Sequence, residues 1–438
     1  MGADYELIKD PIYGYIKVFD HERKIIDTPI FQRLRRVKQL TSAEYVYPSA
    51  THNRFSHSLG VMHVAGEFTE YILDQIENLG RSDKETYYFL MRLWGLTHDI
   101  GHGPFSHLFD DVILKEYNIS HETFGSKILM ESSFLPDSFK LPNGGEINPK
   151  EVAQLFGIKD IEEWPLIESI GESDVSARAL YYIAFGAYSA DLLDYIRRDS
   201  YFTGAGYGNI DWQRLIYISK PDKNRITLDL RGEEAFDSLL LARLFMFSTV
   251  YYHRTSRAAT RIMKFLLEEA KSKRILDSFL GNVDQYASLD EDSLLFHPTL
   301  TNSEYKNRLI FRDIPYTRVL ETSIPIEPEE ISAFVREDVL TETTRGNLPA
   351  KLKRTLPPDS FFVDTPKIPT NPMEGDLFIY IYNPDTGEVA PRNVWETRWG
   401  KMSREMAIVR LFIHHDYEKN EQDIREAFPK TEKRLSFY

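Results

Sequence analysis

The 438-residue chain contains no cysteine. That absence removes disulfides, zinc–cysteine sites and thiol nucleophiles, and it fits a reducing compartment. Basic residues are in deficit: 53 Lys and Arg stand against 67 Asp and Glu, a formal net charge of −14. Nucleic-acid backbones and anionic membranes are bound through basic surfaces, so neither is expected as a partner. Glycine (23) and proline (22) are too sparse for a fibrous chain, while 42% hydrophobic residues are too many for disorder. No apolar run is long. The least polar window, Ala179–Ala190, falls short of a bilayer span and is closed by Asp191. The first residues hold neither a basic nor an apolar stretch, and Glu6 stands where a myristoylation signal wants Ser or Thr. A cytoplasmic protein is the expectation. A P-loop, a Rossmann glycine fingerprint and a nucleophile elbow are also missing, which leaves ATPase, dehydrogenase and serine-hydrolase chemistry unsupported.

What is present reads as mainly α. Residues 5–20 alternate around Pro11 and Gly14, a short hairpin or extended arm. Asp27-Thr28-Pro29 predicts a helix N-cap with Pro in the first turn, and a helix through about Leu40. A second helix is expected after His57, since Val61, Ala65, Phe68, Ile72 and Ile76 recur at helical spacing, with Gly80 as its stop. A third spans about 82–100, a fourth 176–198, and a fifth 232–280, broken in two. Beyond about 300 short β-prone runs such as Leu377–Tyr382 sit between turn clusters. The expected division is an N-terminal arm (1–22), a helical domain (23–295) and a smaller mixed α+β region (296–438).

Seven of the twelve histidines lie between His52 and His121. The dense part is Thr97-His98-Asp99-Ile100-Gly101-His102-Gly103-Pro104-Phe105-Ser106-His107. His98 and Asp99 are consecutive at the end of an apolar helix, where successive side chains diverge by about 100° and can grip one ion from adjacent edges. Gly101 and Gly103-Pro104 should turn the chain so that His102 and His107 curl back over that site. Imidazole plus carboxylate without thiolate suits Mn, Fe, Zn, Ni or Mg. Burying so many imidazoles with no ligand or proton to carry would leave polar groups unpartnered. Other histidines read as structural: His63 on a helix face, His414-His415 after an apolar run, and His21, His253 and His297 without partners in sequence.

The pattern His57, then His98-Asp99, then Asp191 resembles the HD-domain metal-dependent phosphohydrolases. The segments Asp27–Arg35, Lys38-Gln39-Leu40, His52–Gly60 and His98–Phe109 are more closely similar to the deoxynucleoside triphosphate triphosphohydrolase branch, without the SAM domain that one relative carries. The likeness is dense over 5–125, recurs at 185–260 and fades beyond 300. It implies an HD-type helical core with His57, His98, Asp99 and Asp191 as ligands of a divalent ion. It further implies that His102 and His107 face the substrate phosphates, and that His121 with Asp110 forms an acid/base pair. Arg54 matches a phosphate contact, Gln39 and Asp199 match residues that read the deoxyribose 3′ hydroxyl, and Tyr195 lies between them. Arg257 is a further substrate contact, in a Tyr-x-His-x-x-Ser-Arg stretch that related enzymes share, with Arg254 and Arg261 on the same helical face.

Two departures stand out. Leu192 occupies the place of a triphosphate-binding lysine in the SAM-bearing relative, and Glu6 the place of a lysine near its regulatory nucleotide. The expected function is hydrolysis of deoxynucleoside triphosphates, with Asp27 and Arg35 reading a regulatory nucleotide in a homo-oligomer, dimer or tetramer. Two other readings stay open: an HD-type nucleoside monophosphatase or other phosphohydrolase, and a non-enzymatic nucleotide sensor.

Overall fold

The computed structural model describes residues 5–158, 161–166, 175–222, 225–326, 336–369, 378–394, 396–397, 400–401 and 405–429. The hairpin is formed by β1 (Tyr5–Asp10) and β2 (Gly14–Phe19), paired antiparallel. Asp10 Oδ1 closes its turn by accepting the amides of Ile12 and Tyr13. α1 (Asp20–Ile26) follows at once. Asp27 ends this helix as its C-cap; the N-cap of α2 (Pro29–Gln32) is Thr28, whose side chain accepts from the Phe31 amide. α2 runs into a single 3-10 turn at Arg33–Arg36, not on to Leu40. Helix stops there because Val37 is extended and Lys38 bridges Asn53 across the chain.

α3 (Arg54–Asp74) begins before His57, with Asn53 accepting the Ser56 amide as its cap. It ends at Asp74, and Gly80 is the N-cap of α4 (Arg81–Thr97) instead of the stop of α3. α5 (His107–Val112) and α6 (His121–Glu131) complete the histidine-rich part. The expected single helix at 176–198 is two, α7 (Val175–Phe185) and α8 (Ala190–Thr203). Ser189 makes the break, its side chain accepting the Leu192 amide and placing Asp191 in the first turn of α8. The anticipated break in 232–280 falls between α9 (Glu233–Met246) and α10 (Arg254–Ser272), across a π-turn at Phe247–Tyr251. α3 lies at the centre, packed along both α4 and α8. That contact brings His57, His98, Asp99 and Asp191 within reach of one another.

Among the described residues, two four-stranded sheets join this helical body. β3 (Ser219–Asp222) and β4 (Arg225–Asp229) form a hairpin. The C-terminal part contributes β5 (Tyr316–Ile326), α11 (Glu337–Asn347), β6 (Phe361–Asp364), β7 (Phe378–Tyr382), β8 (Val389–Asn393), β9 (Glu405–His414) and α12 (Glu421–Ala427). Leu377, the first residue of an expected strand, lies outside the described residues. One sheet has the order β8-β7-β4-β3, with β7 parallel to β4; in the other, β9 pairs antiparallel with β5 and β6.

The main core takes in Ile16, Val18 and Phe19 of the hairpin as well as Phe362, Ile379 and Phe412, so it crosses both expected boundaries, at 22 and at 295. A separate small core gathers Leu348, Phe361, Val363, Leu411, Ile413 and Ile424. Among the described residues no helix is long and apolar enough to cross a membrane.

Candidate metal centre and cleft

His57 of α3, His98 and Asp99 just past the end of α4, and Asp191 of α8 come together at the floor of a cleft, His57 beneath its surface. His57 Nε2 is 3.0 Å from Asp191 Oδ1 and 3.6 Å from Asp99 Oδ2. His98 Nε2 is 3.4 Å from Asp99 Oδ1 and 3.7 Å from Asp191 Oδ1. Ligand atoms about 2.1 Å from one ion sit roughly 3–3.5 Å from each other, so these spacings suit a shared cation. Both imidazoles are oriented for it. His98 Nδ1 faces the Gly95 carbonyl at 2.8 Å and His57 Nδ1 faces Asp194 Oδ2 at 2.8 Å, which leaves each Nε2 directed at the carboxylates. His98 Nε2 is buried and has no hydrogen-bond partner, as a ligand atom awaiting an ion would be. His57, His98 and Asp99 together satisfy the distances of a metal-binding group.

Charge tells the same story. Burial by itself would lower the His57 pKa, but hydrogen bonds to Asp191 and Asp194 and the charges of Asp194 and Asp99 raise it to about 10. The site therefore wants a cation at Nε2, supplied by a proton or by a metal. Burial would push the Asp99 carboxyl up, yet Arg54, His98 and His102 hold it well below the usual range. Arg54 donates to Asp99 Oδ2 from Nη1 (2.6 Å) and to Ser106 Oγ from Nε (3.0 Å), and it also lines the cleft.

A second cluster adjoins the first. His121 Nδ1 is 2.5 Å from Asp110 Oδ2, so the expected pair is in contact. Burial is the largest influence and opposes a charged His121, but the Asp110 hydrogen bond together with the charges of Asp110, Glu122 and Asp99 raises its pKa. His107 Nδ1 is 3.6 Å from the same oxygen, and its ring is 72% exposed on the cleft wall. His102 departs from expectation. It is fully buried, stacked on His121 with ring centroids 3.7 Å apart, with Nε2 3.3 Å from Asp99 Oδ1. It does not line the cleft and so does not face substrate phosphates. Burial, Arg54 and His121 keep it neutral by lowering its pKa.

The turn joining α4 to α5 is held rigidly. Arg33, wholly buried, donates to the carbonyls of Ile100 (2.7 Å) and His102 (2.7 Å), and Tyr286 OH donates to that of Gly101 (2.9 Å). Phe105 and Ser106 take left-handed φ values of 65° and 53°, a strained pair at the site's edge. Ser106 Oγ donates to the Lys38 carbonyl at 2.8 Å, which ties this turn to the Gln39 segment.

The cleft above has a volume of ≈ 650 Å³. Gln39, Leu40, Tyr195, Asp199, Tyr251 and Arg257 line it together with His98, Asp99 and Asp191, while His57 lies buried behind them. Gln39 Oε1 is buried and unpartnered, while Asp199 is fixed by His52 Nε2 and by the Tyr251 hydroxyl, each at 2.7 Å. Arg257 reaches the wall, but its Nε and Nη2 both donate to Asp364 Oδ1 of β6 (2.9 and 2.7 Å). Arg254 is exposed and Arg261 is bonded to Glu337, away from the cleft wall. Leu192 is buried in the core and does not replace the missing cation. Asp27 and Arg35 are both exposed, and Arg35 lies over the Phe55 ring with its Nε on Gln32. Glu6 is paired with Arg23 at 2.8 Å.

Sequence reasoning missed Asp194, Arg33 and Tyr286. Asp194 had a signal, since it lies one helical turn beyond Asp191 and four residues before Arg198. Tyr286 had none, because only the tertiary fold brings it to the turn.

Residues 54–157 match the HD domain family, and residues 210–373 match the HD associated region. The deoxynucleoside triphosphate triphosphohydrolase SAMHD1 of Homo sapiens is 33% identical over 364 residues, 76% of this chain and 57% of that protein. An uncharacterized protein of Methanocaldococcus jannaschii is 31% identical over 338 residues, 76% of this chain and 64% of its own length. The chain thus spans less than two thirds of either curated relative. The crystal structure of a phosphohydrolase from Bacteroides thetaiotaomicron superposes with a TM-score of 0.67 at 25% identity, covering 94% of this chain and 100% of that one.

Proposed function

The chain belongs to the HD-domain phosphohydrolases, and from that premise we propose that it hydrolyses deoxynucleoside triphosphates to the deoxynucleoside and inorganic triphosphate. The observation that carries this reading is one cleft lined by His98, Asp99, Asp191, His121, an unpartnered Gln39 oxygen and a fixed Asp199, with His57 behind the two aspartates and Asp110 behind His121. The residues fit a divalent ion (Mn, Mg, Fe, Ni or Zn) held by His57, His98, Asp99 and Asp191; when bound there it supplies Lewis-acid polarisation of a phosphoryl group and acidifies water.

The protein's own groups have distinct tasks. Asp110 raises the His121 pKa and so favours its protonated form, from which His121 gives its proton to the 5′ oxygen as the bond to the α-phosphorus breaks. His107, on the cleft wall, and Arg54, beside Asp99, offer N–H groups to phosphoryl oxygens as charge builds. His102 backs His121 and stays neutral, which avoids a second buried charge. Arg257 meets the phosphate tail only in exchange for its bond to Asp364. Gln39 Oε1 accepts the single proton of the 3′ hydroxyl, which lies beside Asp199 and Tyr195, and Leu40 crowds the place of a 2′ hydroxyl. A buried hydroxyl without a partner costs roughly 1–3 kcal/mol, so dNTPs are expected to be preferred over NTPs by about ten- to a hundredfold. Asp27 and Arg35 are assigned to a regulatory nucleotide bound between subunits of a homo-oligomer.

The test is to incubate the protein with each dNTP and dNMP plus Mn²⁺ or Mg²⁺ and identify the phosphate released. Triphosphate is the expected product. Orthophosphate from dNMP would install the monophosphatase reading that Leu192 suggests, and no product would leave a nucleotide sensor. Asp99→Ala should lose bound metal and activity together; full turnover by this variant would sink the assignment.

A further inference from the structure

Behind the candidate ligands lies a buried chain of charges that the proposed chemistry does not use. His57 Nδ1 meets Asp194 Oδ2 at 2.8 Å. Arg198 holds the same carboxylate with two donors, Nε to Oδ2 (2.8 Å) and Nη2 to Oδ1 (3.0 Å). Its remaining Nη1 donates to Asp10 Oδ2 at 2.9 Å, at the tip of the β1–β2 hairpin. Asp194 and Arg198 are wholly buried and Asp10 is 4% exposed. A carboxylate in such a place is tolerated only when paired and fully hydrogen-bonded, and the bidentate guanidinium does that.

Gly60 supplies an independent observation. It lies on α3 one turn beyond His57, in a helix interior where glycine is the poorer choice. A Cβ there would sit 1.9 Å from Asp194 Oδ1 and 2.5 Å from Arg198 Nη2. The missing side chain is the space that the Asp194–Arg198 pair occupies. The two helices are thus matched: α3 bears His57 and the notch, and α8 bears Asp191 and, one turn on, the carboxylate that fills the notch.

We propose that Asp194 is a positioning residue for the metal site: seated by Arg198 and Asp10 in the notch left by Gly60, it fixes His57 with Nδ1 protonated and Nε2 presented to the ion, and it links the N-terminal hairpin to metal affinity. The inference rests on the metal-binding reading above. A neutral imidazole that can donate only from Nδ1 has its lone pair on Nε2, and a carboxylate partner raises its basicity as a ligand. Losing such a partner typically weakens metal binding about 10–100-fold.

The experiment measures Mn²⁺ dissociation constants by calorimetry on the metal-free full chain and its variants, with circular dichroism to verify folding. Asp194→Asn should bind about 10–100-fold more weakly. Gly60→Ala should also lose at least about tenfold, although helix propensity alone would make it a stabilising change. Asp10→Asn should show a smaller loss, about three- to tenfold, because Asp194 keeps Arg198. Arg36→Gln, which breaks a half-exposed ion pair with Asp290 that does not touch His57, should leave the constant unchanged. If Asp194→Asn fails to fold, Gly60→Ala and Asp10→Asn decide. Wild-type protein that binds no Mn²⁺ would overturn the metal reading itself. Wild-type binding with Gly60→Ala and Asp194→Asn equally tight would overturn the positioning role, and an unaffected Asp10→Asn would remove the link to the hairpin.

Discussion

Glu291 shows how one buried acid reaches the active cleft through its neighbours. It is 3% exposed, accepts the Lys38 amide at 2.9 Å, and has the Lys38 ammonium 3.8 Å away. Burial pushes its carboxyl from 4.5 up to about 7 in spite of Lys38. The Lys38 carbonyl in turn receives the Ser106 hydroxyl, which receives Arg54, which holds Asp99. Because the folded pKa is the higher one, the folded chain binds more protons than the unfolded one between those values. The stability so conferred is present below about pH 4.5 and is lost as pH rises through about 7. Glu291→Gln keeps an acceptor for the Lys38 amide and removes the titration. Its stability relative to wild type should therefore rise between pH 5 and pH 8, by on the order of 1–3 kcal/mol. Denaturant unfolding at the two pH values checks this, and a difference independent of pH would contradict it.

The turn between α4 and α5 is where sequence pattern and tertiary need meet. Its glycines and proline announce a turn, but the reason for Gly101 is the backbone of α6. A Cβ at that position would lie 2.0 Å from the His121 carbonyl oxygen and 2.5 Å from the Gly125 amide nitrogen. Neither atom can yield without moving α6, and with it the His121–Asp110 pair. Gly101→Ala should therefore cost at least about 2 kcal/mol and lower kcat more than it lowers metal content. Thermal unfolding and metal analysis of one preparation measure both. An unchanged melting temperature would mean that α6 has room to spare.

Seen as one body, the chain ties its two ends to the cleft. Asp10 reaches it through Arg198, and Asp364 of the C-terminal sheet reaches it through Arg257. The hairpin also carries Tyr5, Leu7 and Tyr15 at 46, 55 and 58% exposure, on a face shared with Lys9 and Lys17 over the tyrosine rings, and this mixed surface is assigned to the subunit contact of the proposed homo-oligomer. Leu7→Glu should reduce the mass measured by light scattering and, if subunits share a regulatory nucleotide, abolish any stimulation of one dNTP's hydrolysis by a second. An effector changes turnover only by binding the active state better, so mass and rate should shift together. Unchanged mass in this variant would move the contact elsewhere, and Asp27→Ala then tests the regulatory site without altering the hairpin.

His98-Asp99 stood out by residue type and by position at the end of an apolar helix, whereas His57 and Asp191 entered through the likeness to the HD-domain enzymes, and their role as ligands is the proposal made above. The hairpin was legible from its turn residues, and the mainly helical body from its 3.6-residue periodicity. Helix ends were less so: the helix expected to reach about Leu40 stops at Gln32 and a 3-10 turn, and Ser189 divided a run whose apolar pattern continues across it. What periodicity could not supply was the identity of distant partners. That His102 stacks beneath His121 instead of facing substrate, that Arg257 is already bound to Asp364, and that Gly60 makes room for Asp194 all depend on contacts between segments far apart in the chain. Local sequence sets the face a residue occupies on its own helix. Only packing decides which other face it meets, because burial and hydrogen-bond satisfaction are properties of both surfaces together.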